Sequence, residues 1–192
     1  MWTPRGVTVW KLFIIIAFSS CMAYCQFTHA ENLTERNALP NVIEYFLNCF
    51  AEEQQKTHGL VLVEKITDFD ECEHISKLGF LFDRYQVISL SEARTLVANM
   101  VSEFLQQINS NVKLKKYFSN VPFSEKNFVV RLRMRTKDCG FIYPILGNIA
   151  YVSAIDGSII YDTINSFTYD LDTLRTESYA DALKIISATK LL

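Results

Sequence analysis

The chain has 192 residues, 49% of them hydrophobic and 13% aromatic, with 19 Lys and Arg against 21 Asp and Glu for a net charge of −2. That length and apolar content suit one domain with a sizeable core and exclude disorder as the main state, while 6 Gly and 4 Pro exclude collagen-like or low-complexity chains. The near-neutral balance excludes nucleic-acid binding driven by net charge.

Residues 1–30 read as a leader. Arg5 and Lys11 are the only charges before Glu31, and they precede the apolar run from Leu12 to Phe18. Basic residues, a short apolar core and then small residues are the order of a secretory signal peptide. The apolar stretch falls short of the roughly 18–20 residues that span a bilayer. Cleavage fits after Ala30 or after Cys25. Phe18-Ser19-Ser20-Cys21 offers a lipobox that would anchor the chain through Cys21, and a retained helix is the remaining option. Export to the periplasm, the cell surface or the medium is expected, with membrane contact only through this leader, retained or lipidated. Its loss removes Arg5 and Lys11 but no acidic residue, leaving 17 basic against 21 acidic residues. It also removes Cys21 and Cys25. Cys49, Cys72 and Cys139 remain, an odd set that allows one disulfide and one thiol, or no bridge. Residues 31–39 read as a flexible polar segment, in which the glycosylation sequon Asn32-Leu33-Thr34 is taken as a chance occurrence. Residues 40–192 then form a single domain.

Pro40 opens a helix where its missing N–H costs nothing, and Val42, Ile43, Phe46, Leu47 and Phe50 share one face, with Gly59 as the stop signal. Residues 59–66 and 75–83 predict a strand pair joined by a long acidic loop. Ser89 and Glu92 have capping-box spacing ahead of Ala93, Leu96, Val97, Met100, Val101, Phe104, Leu105 and Ile108, a wide apolar face that leaves Arg94, Asn99, Glu103 and Gln107 outside it. Residues 112–118 suggest a short basic helix. Residues 127–135 alternate strictly, with Phe128, Val130, Leu132 and Met134 one way and Val129, Arg131, Arg133 and Arg135 the other, as in a half-buried strand. Asp156-Gly157 is a hairpin turn between strands at 149–155 and 158–164. Residues 166–176 read as a loop, and Ser178 with Asp181 caps a terminal helix whose core face is Ala182, Leu183, Ile185 and Ile186. The fold class is therefore α+β: an antiparallel sheet of about five strands, with helices packed on one face, in the order α-ββ-α-α-β-ββ-α.

Few residues point to chemistry. The loop Asp68-Phe69-Asp70-Glu71-Cys72-Glu73-His74 collects metal-type donors, but Glu73 and Gly79 stand where a calcium loop needs Gly and Glu, and a zinc site lacks ligands, so no metal and no cofactor is expected. Cys139, between Asp138 and Gly140 with Lys137 nearby, is the candidate nucleophile, with His58 or His74 as its base. No serine-hydrolase elbow, phosphate loop or zinc-protease motif is present. The distinctive feature is the arginine ladder Arg131, Arg133 and Arg135, about 7 Å apart along one strand face. Such guanidinium groups grip carboxylates or phosphates in pairs of hydrogen bonds, or else pair with acids on neighbouring strands. Tyr143, Tyr151, Tyr161, Tyr169 and Tyr179 add amphipathic aromatics to the same half of the chain.

Residues 88–94 (Ile-Ser-Leu-Ser-Glu-Ala-Arg), Gln107-Ile108-Asn109-Ser110-Asn111, Tyr117, Val121-Pro122-Phe123 and residues 177–183 (Glu-Ser-Tyr-Ala-Asp-Ala-Leu) are similar to stretches of small exported bacterial proteins that have no assigned function. The resemblance implies a bacterial source and supplies no catalytic residue. The leading expectation is an exported, non-enzymatic protein that binds a partner protein or an acidic ligand through Arg131, Arg133 and Arg135. No nucleic acid is expected as a partner. The alternative is a small Cys-dependent or other hydrolase of the cell envelope or of a host-facing compartment.

Overall fold

The computed structural model describes residues 40–138, 148–165 and 167–189. The chain divides into the units Met1–Asn41 and Val42–Leu192, and the fold is that of the second. In chain order it comprises α1 (Asn41–His58), β1 (Val61–Phe69), β2 (Ile75–Arg84), α2 (Leu90–Ser110), a single 3-10 turn (Lys115–Tyr117), β3 (Phe128–Met134), β4 (Tyr151–Ile155), β5 (Ser158–Ile164), β6 (Leu171–Ser178) and α3 (Tyr179–Thr189).

Local signals set most of the boundaries. Gly59 ends α1 with φ of +66°, a conformation that costs a glycine little. Ser89 caps α2: its hydroxyl accepts from the Glu92 amide, and the Glu92 carboxylate accepts from the Ser89 amide. Asp156 and Gly157 both take positive φ in the β4–β5 turn, 51° and 78°, as a two-residue hairpin requires. Ser178 Oγ accepts from the Asp181 amide and starts α3.

The described strands form one sheet of six in the order β1-β2-β3-β4-β5-β6, so α+β with helices on one face holds. Three details differ from the sequence expectation. Strands β2 and β3 pair in parallel, because the intervening α2 returns the chain to the end at which β2 began. The short basic helix is only the 3-10 turn at Lys115–Tyr117. Residues 171–178, expected to lie mostly in a loop, form β6, which pairs with β5 and is exposed along nearly all its length.

The register of paired residues sorts the sheet into two faces. Phe80, Phe82, Phe128, Val130, Leu132, Met134, Val152, Ile159 and Tyr161 lie buried under the helices. Phe50 of α1 and Phe104 of α2 enter this layer: Phe104 stacks on Phe128 at 4.0 Å and meets Phe50 edge-on at 5.1 Å. Gly79 permits the close β2–β3 approach, since a Cβ there would fall 1.9 Å from the Val129 carbonyl oxygen. Among the described residues the opposite face carries no helix. Across it run Leu81 and Asp83 of β2, Arg131 and Arg133 of β3, Tyr151 and Ser153 of β4, and Ile160 and Asp162 of β5.

Candidate functional site

Strand alternation delivers the arginine ladder to the helix-free face, as β3 puts Phe128, Val130, Leu132 and Met134 under the helices. The three arginines meet different fates. Asp83, opposite Arg133 in the parallel register, accepts from Arg133 Nε at 2.6 Å and lies 3.8 Å from an Arg135 nitrogen. This partnership holds the Arg133 pKa above its ordinary value, the hydrogen bond to Asp83 being the main cause. Arg131 stands opposite Leu81 on one side and Ser153 on the other, neither of which bears charge. It is half-buried and has no ion-pair or hydrogen-bond partner among the described residues.

The surroundings of Arg131 are polar and partly dry. Ser153, Asp162 and Asp83 are buried, while Tyr151 and Ile160 are half-buried beside them. Tyr151 stays protonated to higher pH than a free phenol, because burial outweighs the opposing pull of Arg131 and Arg133. Its hydroxyl is thus a donor at neutral pH. Asp162 accepts a hydrogen bond from Thr173 at 2.8 Å. The face therefore offers a guanidinium, a phenol, a hydroxyl and a carboxylate on rigid strands.

A second polar centre lies under the helices. Glu177 of β6 accepts from Arg94 Nε at 2.6 Å, Arg94 Nη2 at 3.1 Å, the Tyr161 hydroxyl at 2.7 Å and Arg175 Nε at 3.0 Å. The Arg94 and Glu177 side chains are 8% and 4% exposed. Burial alone would raise the Glu177 pKa, but Arg94, Tyr161 and Arg175 together hold it below the ordinary glutamate value. Tyr161 is pushed up, first by burial and then by donating to Glu177. The apolar periodicity of α2 predicts Arg94 outside the buried face; it is buried instead. The signal was present: Arg94 precedes Ala98 by four residues and Val101 by seven, and both are buried on the same stripe. Glu177 and Arg175 gave no signal, lying in residues expected to form a loop and its edge.

The remaining candidates are dispersed. Cys139 and Tyr143 lie outside the described residues. His58 ends α1 before β1 and His74 follows β1 in the next turn. The nine residues of β1 hold the two imidazoles at opposite ends of a strand about 30 Å long, so one thiol cannot meet both. In the acidic loop, the Asp70 carboxylate accepts from the Cys72 and His74 amides, which spends a metal-type donor on the loop's own backbone. The His74 imidazole Nδ1 is 3.9 Å from that carboxylate. No cluster of three or more His, Cys, Asp or Glu able to hold a metal occurs among the described residues. Cys49 and Cys72 are both exposed and free. Of the tyrosines, Tyr179 shares a 2.6 Å hydrogen bond with Ser102 of α2, and Tyr169 is exposed at the β5–β6 turn. Among the described residues no helix is long and apolar enough to cross a membrane. No family model, no curated protein and no solved structure matches the chain.

Proposed function

We propose that the chain is an exported, non-enzymatic binding protein whose helix-free sheet face receives an acidic ligand or an acidic segment of a partner protein, anchored at Arg131. One observation carries the reading: Arg131 is half-buried on a rigid strand with no partner among the described residues, whereas its neighbour Arg133 is held by Asp83. A guanidinium partly withdrawn from water gains most from a carboxylate that replaces the lost hydration with paired hydrogen bonds. Tyr151 and Ser153 supply further donors beside it, and Asp162 across from Tyr151 disfavours a uniformly anionic ligand. A partner segment with a carboxylate over Arg131 and a cation or donor over Asp162 fits this alternation. The leader-like order of residues 1–30 supports export to the periplasm, the cell surface or the medium, and the resemblance supports a bacterial source.

The test is fluorescence anisotropy of the full chain with a Glu-rich peptide, a Lys-rich peptide and a peptide of alternating Glu and Lys. The reading expects the alternating and Glu-rich peptides to bind and Arg131→Ala to weaken both about tenfold, with thermal stability unchanged. Equal affinity for all three peptides, or insensitivity to Arg131→Ala, sinks it.

A further inference from the structure

Helix α3 carries more apolar surface than it covers: Ala182 is buried, but Leu183, Ile185 and Ile186 are only half-buried. Between α3 and the N-terminal turns of α2 lies a cleft of about 230 Å³ lined by Ser91, Arg94, Thr95, Ile185, Ile186 and Thr189. An apolar cavity of about 150 Å³ holds benzene, so this cleft suits a ring or short alkyl chain together with a carboxylate. Arg94 is the one charged residue among those that line it.

Charge arithmetic under the cleft leaves a positive excess. Glu177 brings one negative charge to two guanidinium groups, Arg94 and Arg175, and Tyr161 stays neutral. Glu177 occupies Arg94 Nε and Nη2; Nη1 has no carboxylate partner among the described residues. The hydroxyls of Thr95 and Thr189 donate to carbonyls one turn back, of Ser91 and Ile185, and so offer lone pairs, not protons, to a ligand. A bound anion must therefore be taken by Arg94, assisted by the exposed Ser91 hydroxyl, while Ile185 and Ile186 flank whatever is apolar.

We propose that the α2–α3 cleft binds a small amphipathic carboxylate, its carboxylate at Arg94 and its apolar tail against Ile185 and Ile186. This site lies on the helix-bearing side of the sheet and does not depend on the reading of the Arg131 face. Removing Arg94 would strand the buried Glu177, so the test blocks the cleft instead. The isotope-labelled full chain is titrated by NMR with hexanoate, hexanol and inorganic phosphate. Saturable shifts confined to amides around 91–95 and 185–189 are expected with hexanoate. Hexanol lacks the charge and phosphate lacks the tail, so each should bind about tenfold more weakly or less. Thr95→Trp and Ile185→Trp, two plugs made separately so that a folding defect in one leaves the other informative, should abolish the hexanoate shifts; Arg131→Ala should leave them unchanged. The proposal is overturned by the absence of saturable hexanoate shifts, by phosphate or hexanol binding as tightly as hexanoate, or by hexanoate binding that survives a folded plugged variant.

Discussion

Two carboxylates organise four of the described arginines, Glu177 holding Arg94 and Arg175 and Asp83 lying beside Arg133 and Arg135, and they do so in opposite surroundings. Glu177 sits under the helices, and four hydrogen bonds from two arginines and a tyrosine account for its lone pairs. Asp83 lies on the helix-free face beside Arg133 and Arg135, whose side chains remain 24% and 20% exposed. The first centre joins α2 to β5 and β6, far along the chain from it, and loss of Glu177 strands the Arg94 charge away from water. The second joins adjacent strands, and water can reach its guanidinium groups. Burial turns the Arg94–Glu177 pair into a structural joint; partial exposure leaves the guanidinium groups beside Asp83 within reach of water.

The sharpest way to break the contrast is Glu177→Ala. It leaves Arg94 buried without its partner and should cost about 3–5 kcal/mol in chemical denaturation. A loss below about 1 kcal/mol would mean that the joint does not hold β6 and α2 together. Acid supplies a second test of the same group. Because the folded-state pKa of Glu177 lies below its ordinary value of 4.5, its contribution is present above that pH and fades as pH falls through the depressed value. The half-buried Asp70 and the exposed Glu92 and Asp181 are also depressed, so the intact chain and Glu177→Gln should be unfolded side by side between neutral pH and pH about 3. The difference between them should narrow as the pH drops; a constant difference would remove Glu177 from the pH response.

Asp83→Asn should cost less, about 1–3 kcal/mol, since water can solvate the released Arg133. It should also raise affinity for a Glu-rich peptide in the anisotropy assay, because it frees the Arg133 guanidinium on the binding face. Lower affinity would show that Asp83 organises that face and does not compete with ligands. Arg131→Ala should have the smallest effect on folding, within about 0.5 kcal/mol, because no described partner is left behind. A larger destabilisation would make Arg131 a structural residue and move it to the Glu177 side of the comparison.

Much of the architecture was legible locally. The Ser89–Glu92 capping box, the Asp156-Gly157 turn, the stop at Gly59 and the alternation of β3 each depend on neighbours within a few residues, and each occurs where the chain indicated. Strand β6 carries no sequence pattern because it is an edge strand exposed along nearly all its length. Its pairing with β5 runs through backbone groups, so Leu171–Ser178 has no reason to alternate. The cap and periodicity of the terminal helix α3 mark it in the sequence, but its expected core face is only partly covered: Leu183 is half-buried, and Ile185 and Ile186 border the cleft. The alternation of β3 puts the arginine ladder on one face, yet nothing along β3 distinguishes Arg131 from Arg133. That distinction belongs to Asp83, which lies 50 residues earlier in the chain.

The amino-acid sequence by itself determined the class of fold, most element boundaries and the face on which three arginines stand, because caps, turns and side-chain periodicity act over one or two turns of chain. Only the tertiary structure decided which arginine is spoken for, that Arg94 is buried, and that Glu177 becomes a joint. These outcomes depend on strand order and on the parallel β2–β3 register, which bring together residues 50 and 83 positions apart in the chain. Charge pairing and burial depend on distance in space, and no local pattern encodes that distance.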